Sequence, residues 1–261
     1  MDKPQPRPRD PAGVLLAFPA ELRPFLPARH RGEEPVRVGV DGTSSLGHVV
    51  EALGVPLTEV GALRAEGLGV GPGYRPRPGD HVEVRPVRRP QRPRPQPPRF
   101  VLDVHLGALA RQLRLLGVDT AYRNDLDDAA LVTQANAERR VLLTRDRGLL
   151  RRRSLWLGAY VRGADPDGQL ADVLDRFEPP LAPWTRCTVC NAAPLTEVRK
   201  SDVAPLLAPG TRRTHDSFTR CPGCGRVYWR GAHSRRLERI VATARRRTAE
   251  PGAGAVVARE G

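Results

Sequence analysis

Between Phe100 and Asp146 the chain alternates short apolar runs with segments of helical period. Phe100-Val101-Leu102 is an apolar run that stops on Asp103. Leu106, Leu109, Leu113 and Leu116 then recur at helical spacing, and Gly117 supplies a stop. A weaker strand is expected over Val118 to Tyr122. The acidic turn Asn124-Asp125-Leu126-Asp127-Asp128 follows, then a helix from about Asp127 to Arg139. Val141-Leu142-Leu143 reads as a third strand, ending in Thr144-Arg145-Asp146. Beyond it come a short basic helix at Arg147 to Arg153 and a fourth strand within Leu155 to Val161. A last helix, capped by Asp165 or Asp167, turns Leu170, Val173, Leu174 and Phe177 inward. Strands that alternate with helices imply an α/β domain on a parallel sheet, because parallel neighbours need a crossover.

Ahead of this block the pattern changes. Val14 to Phe18 is a strand, and Val36, Val38 and Val40 alternate as in a half-buried strand. Ser44 or Ser45 can cap a helix with Leu46, Val49, Val50 and Leu53 on one face, ended by Gly54. After a Gly-rich stretch, Val82 and Val84 alternate again. Strand, strand, helix and late strand suggest a β-grasp, which reads as a docking or substrate-orienting module without catalytic residues. Residues 85–99 are rich in Arg and Pro and hold no acid, so an extended, semi-rigid, unpacked linker is expected. The resulting division is a disordered 1–12, a β-grasp at 13–88 and a linker at 89–99. An α/β domain at 100–181, a cysteine-rich module at 182–240 and a mobile tail at 241–261 complete it.

The strand ends carry the chemistry. In a parallel sheet the carboxyl ends share one edge, where open α/β sheets bind ligands. Asp103, the Asp125/Asp127/Asp128 turn and Asp146 each follow a strand, so they are expected to converge. Carboxylates about 5 Å apart repel by roughly 3 kcal/mol per pair at an effective dielectric near 20. A hard divalent cation, Mg²⁺ or Mn²⁺, relieves this. Asp103 is the strongest candidate, its plainer role being a helix cap. One ligand is expected in the acidic turn, Asp128 ahead of Asp125, since another acid there must cap the following helix. Thr144 is expected to orient Asp146 or a metal-bound water. Asp165 is a weaker candidate, and His105 a possible proton carrier. Arg111, Arg114, Arg145 and Arg151 could hold a phosphate backbone, or simply cover solvated helix faces. A phospho-acceptor receiver domain is set aside because residues 100–181 contain no lysine. No phosphate-binding P-loop motif occurs either.

All four cysteines fall in two Cys-x-x-Cys pairs, Cys187/Cys190 and Cys221/Cys224. Two such turns can complete a tetrahedron of thiolates around a structural Zn²⁺. The gap between them, residues 191–220, is longer than the commonest ~15–20, so a longer hairpin is expected to cross it. His215 and His233 read as neighbours rather than ligands.

Charge adds a partner. Net charge is +14, and Lys3 and Lys200 are the only lysines among 43 basic residues. Residues 100–181 carry 12 Arg against 12 acids, whereas 182–261 carry 15 basic residues against 6 acidic. An acidic site in a neutral domain beside a basic module suits a phosphate-rich polymer. With no apolar signal region and no membrane-length apolar run, the expected setting is cytoplasmic and reducing, with no membrane partner.

The segments FVLDVHLGALARQLRLLGVDTAYRNDLDD, VLLTRDRGLL, TRCTVCN and CPGCGRVYWRGAH closely resemble the Mut-seven C-terminal RNase family. Val14 to Val87 resembles the ubiquitin-like β-grasp domain often fused ahead of it, though without a terminal Gly-Gly. The resemblance spans roughly residues 14–240. It implies a PIN-like nuclease α/β/α domain followed by a zinc ribbon, and metal-dependent cleavage of RNA. RNA is the expected partner, with tRNA, rRNA or a ribosome-associated RNA as candidates. The matching acids are Asp103, one of Asp125 to Asp128, and Asp146. The alternative is a non-catalytic RNA- or ribonucleoprotein-binding adaptor with a vestigial acidic pocket.

Overall fold

A computed structural model describes residues 13–230 and 234–249. In chain order the first elements are β1 (Gly13–Ala17), β2 (Val36–Gly39), α1 (Leu46–Ala52), β3 (Val60–Ala65), β4 (Leu68–Val70) and β5 (His81–Pro86). They are followed by β6 (Phe100–Leu102), α2 (Gly107–Leu115), β7 (Thr120–Tyr122), α3 (Asp128–Ala137), β8 (Val141–Thr144), α4 (Arg147–Leu150), β9 (Gly158–Tyr160) and α5 (Pro166–Phe177). The last are β10 (Thr196–Val198), α6 (Lys200–Val203), α7 (Pro209–Thr214), β11 (Phe218–Arg220), β12 (Val227–Tyr228) and α8 (Ser234–Ala249). No helix among the described residues is long and apolar enough to cross a membrane.

The chain divides into two compact units, one holding residues up to Arg88 together with Asp146–Arg153, the other Arg89–Arg145 with Ser154 onward. In the first, five strands form a mixed sheet in the order β2-β1-β5-β3-β4. β1 runs parallel to β5 and antiparallel to β2, while β3 pairs antiparallel with both β4 and β5. This is the expected ubiquitin-like β-grasp. Its alternating strands bury Val14, Leu16, Val36, Val82 and Val84, and α1 contributes Leu46, Val49 and Val50. Ser45 caps α1 by accepting from the His48 N–H at 3.3 Å. The β3–β4 hairpin lies in and after a segment that the sequence leaves as Gly-rich loop. It offers only Leu63 and Ala65 to the core, and the strand exists because β5 supplies the pairing. The basic segment 146–153, expected as part of the α/β domain, groups here instead. Arg147 donates to the carbonyls of Phe25 (2.9 Å) and Pro24 (3.0 Å), and its guanidinium lies 5.2 Å from the Phe25 ring centroid.

The second unit is built on a wholly parallel sheet in the order β7-β6-β8-β9, as the strand–helix alternation predicts. Both faces are covered, so the strands are apolar throughout and show no alternation. Phe100, Leu102, Val141 and Leu143 meet Leu109, Leu113 and Leu116 from α2 and its end, and Leu170, Val173, Leu174 and Phe177 from α5. Phe100 and Phe177 pack edge to face with centroids 5.2 Å apart. Gly117 takes φ +83° where a Cβ would lie 2.1 Å from the Ala182 carbonyl oxygen. The predicted stop is therefore also the only fit for the irregular segment at Ala182 that passes it.

Two expectations are corrected here. The start of the Pro/Arg linker is packed, not free. Arg89 pairs with Asp172 (2.8 Å) and Asp175 (2.7 Å), and Arg92 with Glu178 (2.7 Å), all on or just after α5. The Gln91 N–H also donates to the Arg176 carbonyl at 2.6 Å. Helix α5 presents the row of carboxylates that the acid-free segment lacks. The boundary placed at residue 240 falls inside α8, which runs to Ala249 and buries Val241 and Ala244 in the same core as α5. The expected disorder of 1–12 and mobility of 250–261 lie outside the described residues.

The cysteine module belongs to this unit. β10, β11 and β12 form an antiparallel three-stranded sheet, with a small core of Val203, Leu207 and Phe218. The long gap between the cysteine pairs is filled by β10, α6, α7 and β11 rather than by a plain hairpin.

Candidate functional site

Asp103 sits one residue past β6 and is 7% exposed. Its plainer reading, a cap for the helix that follows, does not hold, because its side chain makes no capping hydrogen bond. The carboxylate instead accepts from the Thr144 hydroxyl, Oγ1 to Oδ2, at 2.6 Å. The register explains this. Leu102 pairs with Leu143 across β6 and β8, so the next residues, Asp103 and Thr144, face each other at the carboxyl edge. The Asp103 N–H donates to the Leu143 carbonyl at 3.1 Å and fixes the turn. The expected partners of Thr144 are Asp146 or a metal-bound water; within this unit its hydroxyl is directed to Asp103. Thr144 is fully buried, so this pair is screened from solvent.

The turn after Asp103 is braced from β7. The Tyr122 hydroxyl donates to the Val104 carbonyl at 2.9 Å, and its oxygen lies 2.6 Å from where a Cβ on Gly107 would be. Gly107 is needed for that close approach. Neither residue stands out in the sequence, since a glycine within a helical period and a tyrosine closing a strand are both unremarkable there.

The acidic turn is mostly engaged. Asp127 caps α3 by accepting from the Ala130 N–H at 2.8 Å. Asp125 is exposed and bound bidentately by Arg123 at 3.0 and 2.7 Å, which holds its carboxyl below the usual range. Asp128 is half-buried in the first turn of α3. Asp146, in the other unit, is exposed and caps α4 by accepting from the Gly148 N–H at 2.6 Å. Asp165 caps α5 through the N–H groups of Asp167 (3.0 Å) and Gly168 (2.8 Å). His105 is exposed, and Arg145 donates to the Gly163 carbonyl.

Among the described residues, the only group of three or more potential ligands whose donor atoms lie within 4.8 Å of one another is Cys187, Cys190, Cys221 and Cys224. The cysteines fit a closed tetrahedral site. Cys187 and Cys224 sulfurs lie 3.7 Å apart, and Cys190 and Cys221 sulfurs 3.4 Å. A zinc–sulfur bond of about 2.3 Å gives a tetrahedral edge of about 3.8 Å, whereas a disulfide needs about 2.05 Å. Each turn is built alike. The N–H of the second cysteine points to the sulfur of the first at 3.4 Å in both. The next residue is left-handed in both, Asn191 at φ 71° and Gly225 at φ 72°. Asparagine is one of the few side chains that tolerates that conformation. Burial opposes the Cys187 thiolate, yet the N–H groups and Tyr228 hydroxyl aimed at it bring its pKa to about 6, while burial pushes Cys190 up to about 12. Thiols that compete for charge in this way are relieved by a cation bound among them.

The first knuckle is tied to the parallel sheet by a residue that the sequence leaves open between holding phosphate and covering a solvated helix face. Arg114 is buried, and its guanidinium donates to the carbonyls of Thr120 (2.8 Å), Thr188 (3.3 Å) and Val189 (2.6 Å). Asn191 accepts from the Thr120 N–H at 3.0 Å and donates to Asp119 at 2.8 Å. Asp119 is in turn held by Arg140 at 2.6 Å. The predicted basic face of α2 therefore keeps Arg111 outside and turns Arg114 inward as a clamp.

Residues 98–241 match the family model described as Mut7-C RNAse domain, and residues 12–92 match the one described as Mut7-C ubiquitin. No curated protein and no solved structure gave a match. With more than half of its length covered by that model, over the parallel sheet and the four-cysteine ribbon alike, the chain belongs to the Mut7-C RNAse domain family.

Proposed function

We propose that the protein is a Mg²⁺- or Mn²⁺-dependent ribonuclease, acting on a cytoplasmic RNA, in which Asp103 is the central acid. The observation that carries this reading is the buried Asp103–Thr144 hydrogen bond at the carboxyl edge of a parallel sheet. A carboxylate with no capping duty, oriented by a buried hydroxyl where such sheets bind ligands, is arranged for a ligand rather than for the fold. Asp103 and Asp128 are the proposed holders of the ion within this unit, and Asp146 is tested with them on its sequence position. When bound, the ion supplies a more acidic water and neutralises charge on the phosphate. The protein's own part is to fix Asp103 through Thr144 and the Tyr122-braced turn, and to hold the RNA by its arginine-rich ribbon. The Zn²⁺ is structural, because four thiolates leave no open position.

One observation favours a second reading, an RNA- or ribonucleoprotein-binding adaptor. Among the described residues, the four cysteines are the one set of three or more potential ligands gathered within 4.8 Å. A single assay separates the two: labelled RNA with the purified protein, with Mg²⁺ or Mn²⁺ added or omitted, and Asp103→Asn, Asp128→Asn and Asp146→Asn alongside. Metal-dependent cleavage lost in Asp103→Asn supports the nuclease. Salt-sensitive binding without cleavage by the wild type supports the adaptor.

A further inference from the structure

A cleft of about 810 Å³ opens between the ribbon sheet, the start of the cysteine module and α8, entirely within the second unit. It falls in the range of roughly 300–1,000 Å³ typical of ligand clefts. Its walls carry the aromatic rings of Trp184, Phe218, Tyr228 and Trp229, with Arg230 and Glu197 at polar positions. Three of these rings have structural duties. Phe218 is buried in the ribbon core, and the Tyr228 hydroxyl lies 3.0 Å from the Cys187 sulfur. The Trp184 ring is covered by the Arg230 guanidinium at 5.5 Å. Trp229 differs. It is 42% exposed, with its centroid 6.4 Å from that of Phe218. A large indole held against a core ring, with its remaining surface in water, offers a fixed flat face to a partner.

We propose that this cleft takes an unpaired nucleobase of a single-stranded RNA, stacked on Trp229 and on the outer face of Arg230. This rests on the ribonucleic-acid reading above and gives that site its substrate class. Flat aromatic and guanidinium surfaces suit the faces of bases, and such stacking serves any sequence. Charge favours the same occupant. Residues 182–261 carry 15 basic against 6 acidic residues, and the cleft's Asp216 is neutralised by Lys200 at 2.8 Å. Glu197, exposed at the wall, repels phosphate but accepts from the amino groups of bases. The pocket is therefore built for a base, with the backbone running outside it. Paired bases in a duplex cannot present their faces, so duplex RNA is the wrong partner.

The test measures fluorescence anisotropy of a labelled single-stranded RNA with the full-length protein. Asp103→Asn is the common background, so that the probe stays intact. Trp229→Ala and Arg230→Ala each weaken binding by about tenfold, Trp229→Phe stays near the parent, and a duplex of the same sequence competes poorly. Zinc content and thermal unfolding stay at parent values in all three, which separates lost stacking from a damaged ribbon. Parent-like binding by both alanine variants overturns the proposal, as does equal binding of duplex. Loss of binding in Trp229→Ala with no cleavage by the wild type removes the nuclease and keeps the cleft. Cleavage by the wild type with unaltered Trp229→Ala binding does the reverse.

Discussion

The Thr144 hydroxyl and the Asp103 carboxylate meet at 2.6 Å across two adjacent parallel strands, the first fully buried and the second 7% exposed. Thr144→Val keeps the shape and removes the donor, leaving a buried carboxylate short of a partner. A cost of about 1–3 kcal/mol in chemical denaturation is expected. Thr144→Ser should recover most of it. If Asp103 anchors the reaction, the valine variant also loses turnover, and serine restores that too.

Zinc removal should act on the fold before it acts on chemistry. The protein as purified should contain one zinc per chain by metal analysis, and Cys224→Ser should abolish it. Strong chelation should raise hydrogen exchange over residues 187–228 while amides of β6 and β8 stay protected, because ligand binding here is part of ribbon folding. Uniform loss of protection would mean that the ribbon and the parallel sheet unfold as one.

Asp119 should make the second unit acid-sensitive. Burial alone raises its pKa, but the hydrogen bonds from Arg140 and Asn191 outweigh this and hold its carboxyl below the usual carboxylate range. A depressed folded-state pKa gives stability that is complete above the unfolded value and lost as pH falls through the folded one. Unfolding midpoints should therefore drop below about pH 4. Asp119→Asn should be less stable near neutrality and show a shallower acid slope. An unchanged slope would assign the acid sensitivity to other carboxylates.

Arg89 fastens the start of the linker. Its pairs with Asp172 and Asp175 are partly exposed, so Arg89→Ala should cost only about 1 kcal/mol, and less at high salt. The sharper readout is limited proteolysis. Cleavage within residues 89–99 should speed up in the variant, and in the parent protein as salt is raised.

Arg114 offers a second check on how the ribbon is held. Arg114→Met strands several buried carbonyls on β7 and the first knuckle. A loss on the order of 3 kcal/mol is expected, with faster zinc release. Arg111→Met on the solvent side of the same helix should be near neutral in stability.

Most of the architecture was legible because it rests on local rules. Apolar runs ending on Asp103 and Thr144, a helical leucine period stopped by Gly117, and two Cys-x-x-Cys turns each need only neighbouring residues to declare themselves. The family resemblance extended this to the β-grasp and the ribbon. What escaped was set by partners far along the chain. The β3–β4 hairpin has too few apolar positions to mark itself, and it forms because β5 offers an edge. Arg114 looks like a solvent-facing cation until the first knuckle brings carbonyls to it. The linker looks free until α5 supplies carboxylates. Thr144 was picked out by its place at a strand end, but its partner depended on which strand lay beside β8. Residue order determined most of the elements and the four-cysteine cluster of this protein. Only the pairing of β6 with β8, a matter of register between distant segments, decided that Asp103 is the acid held in place.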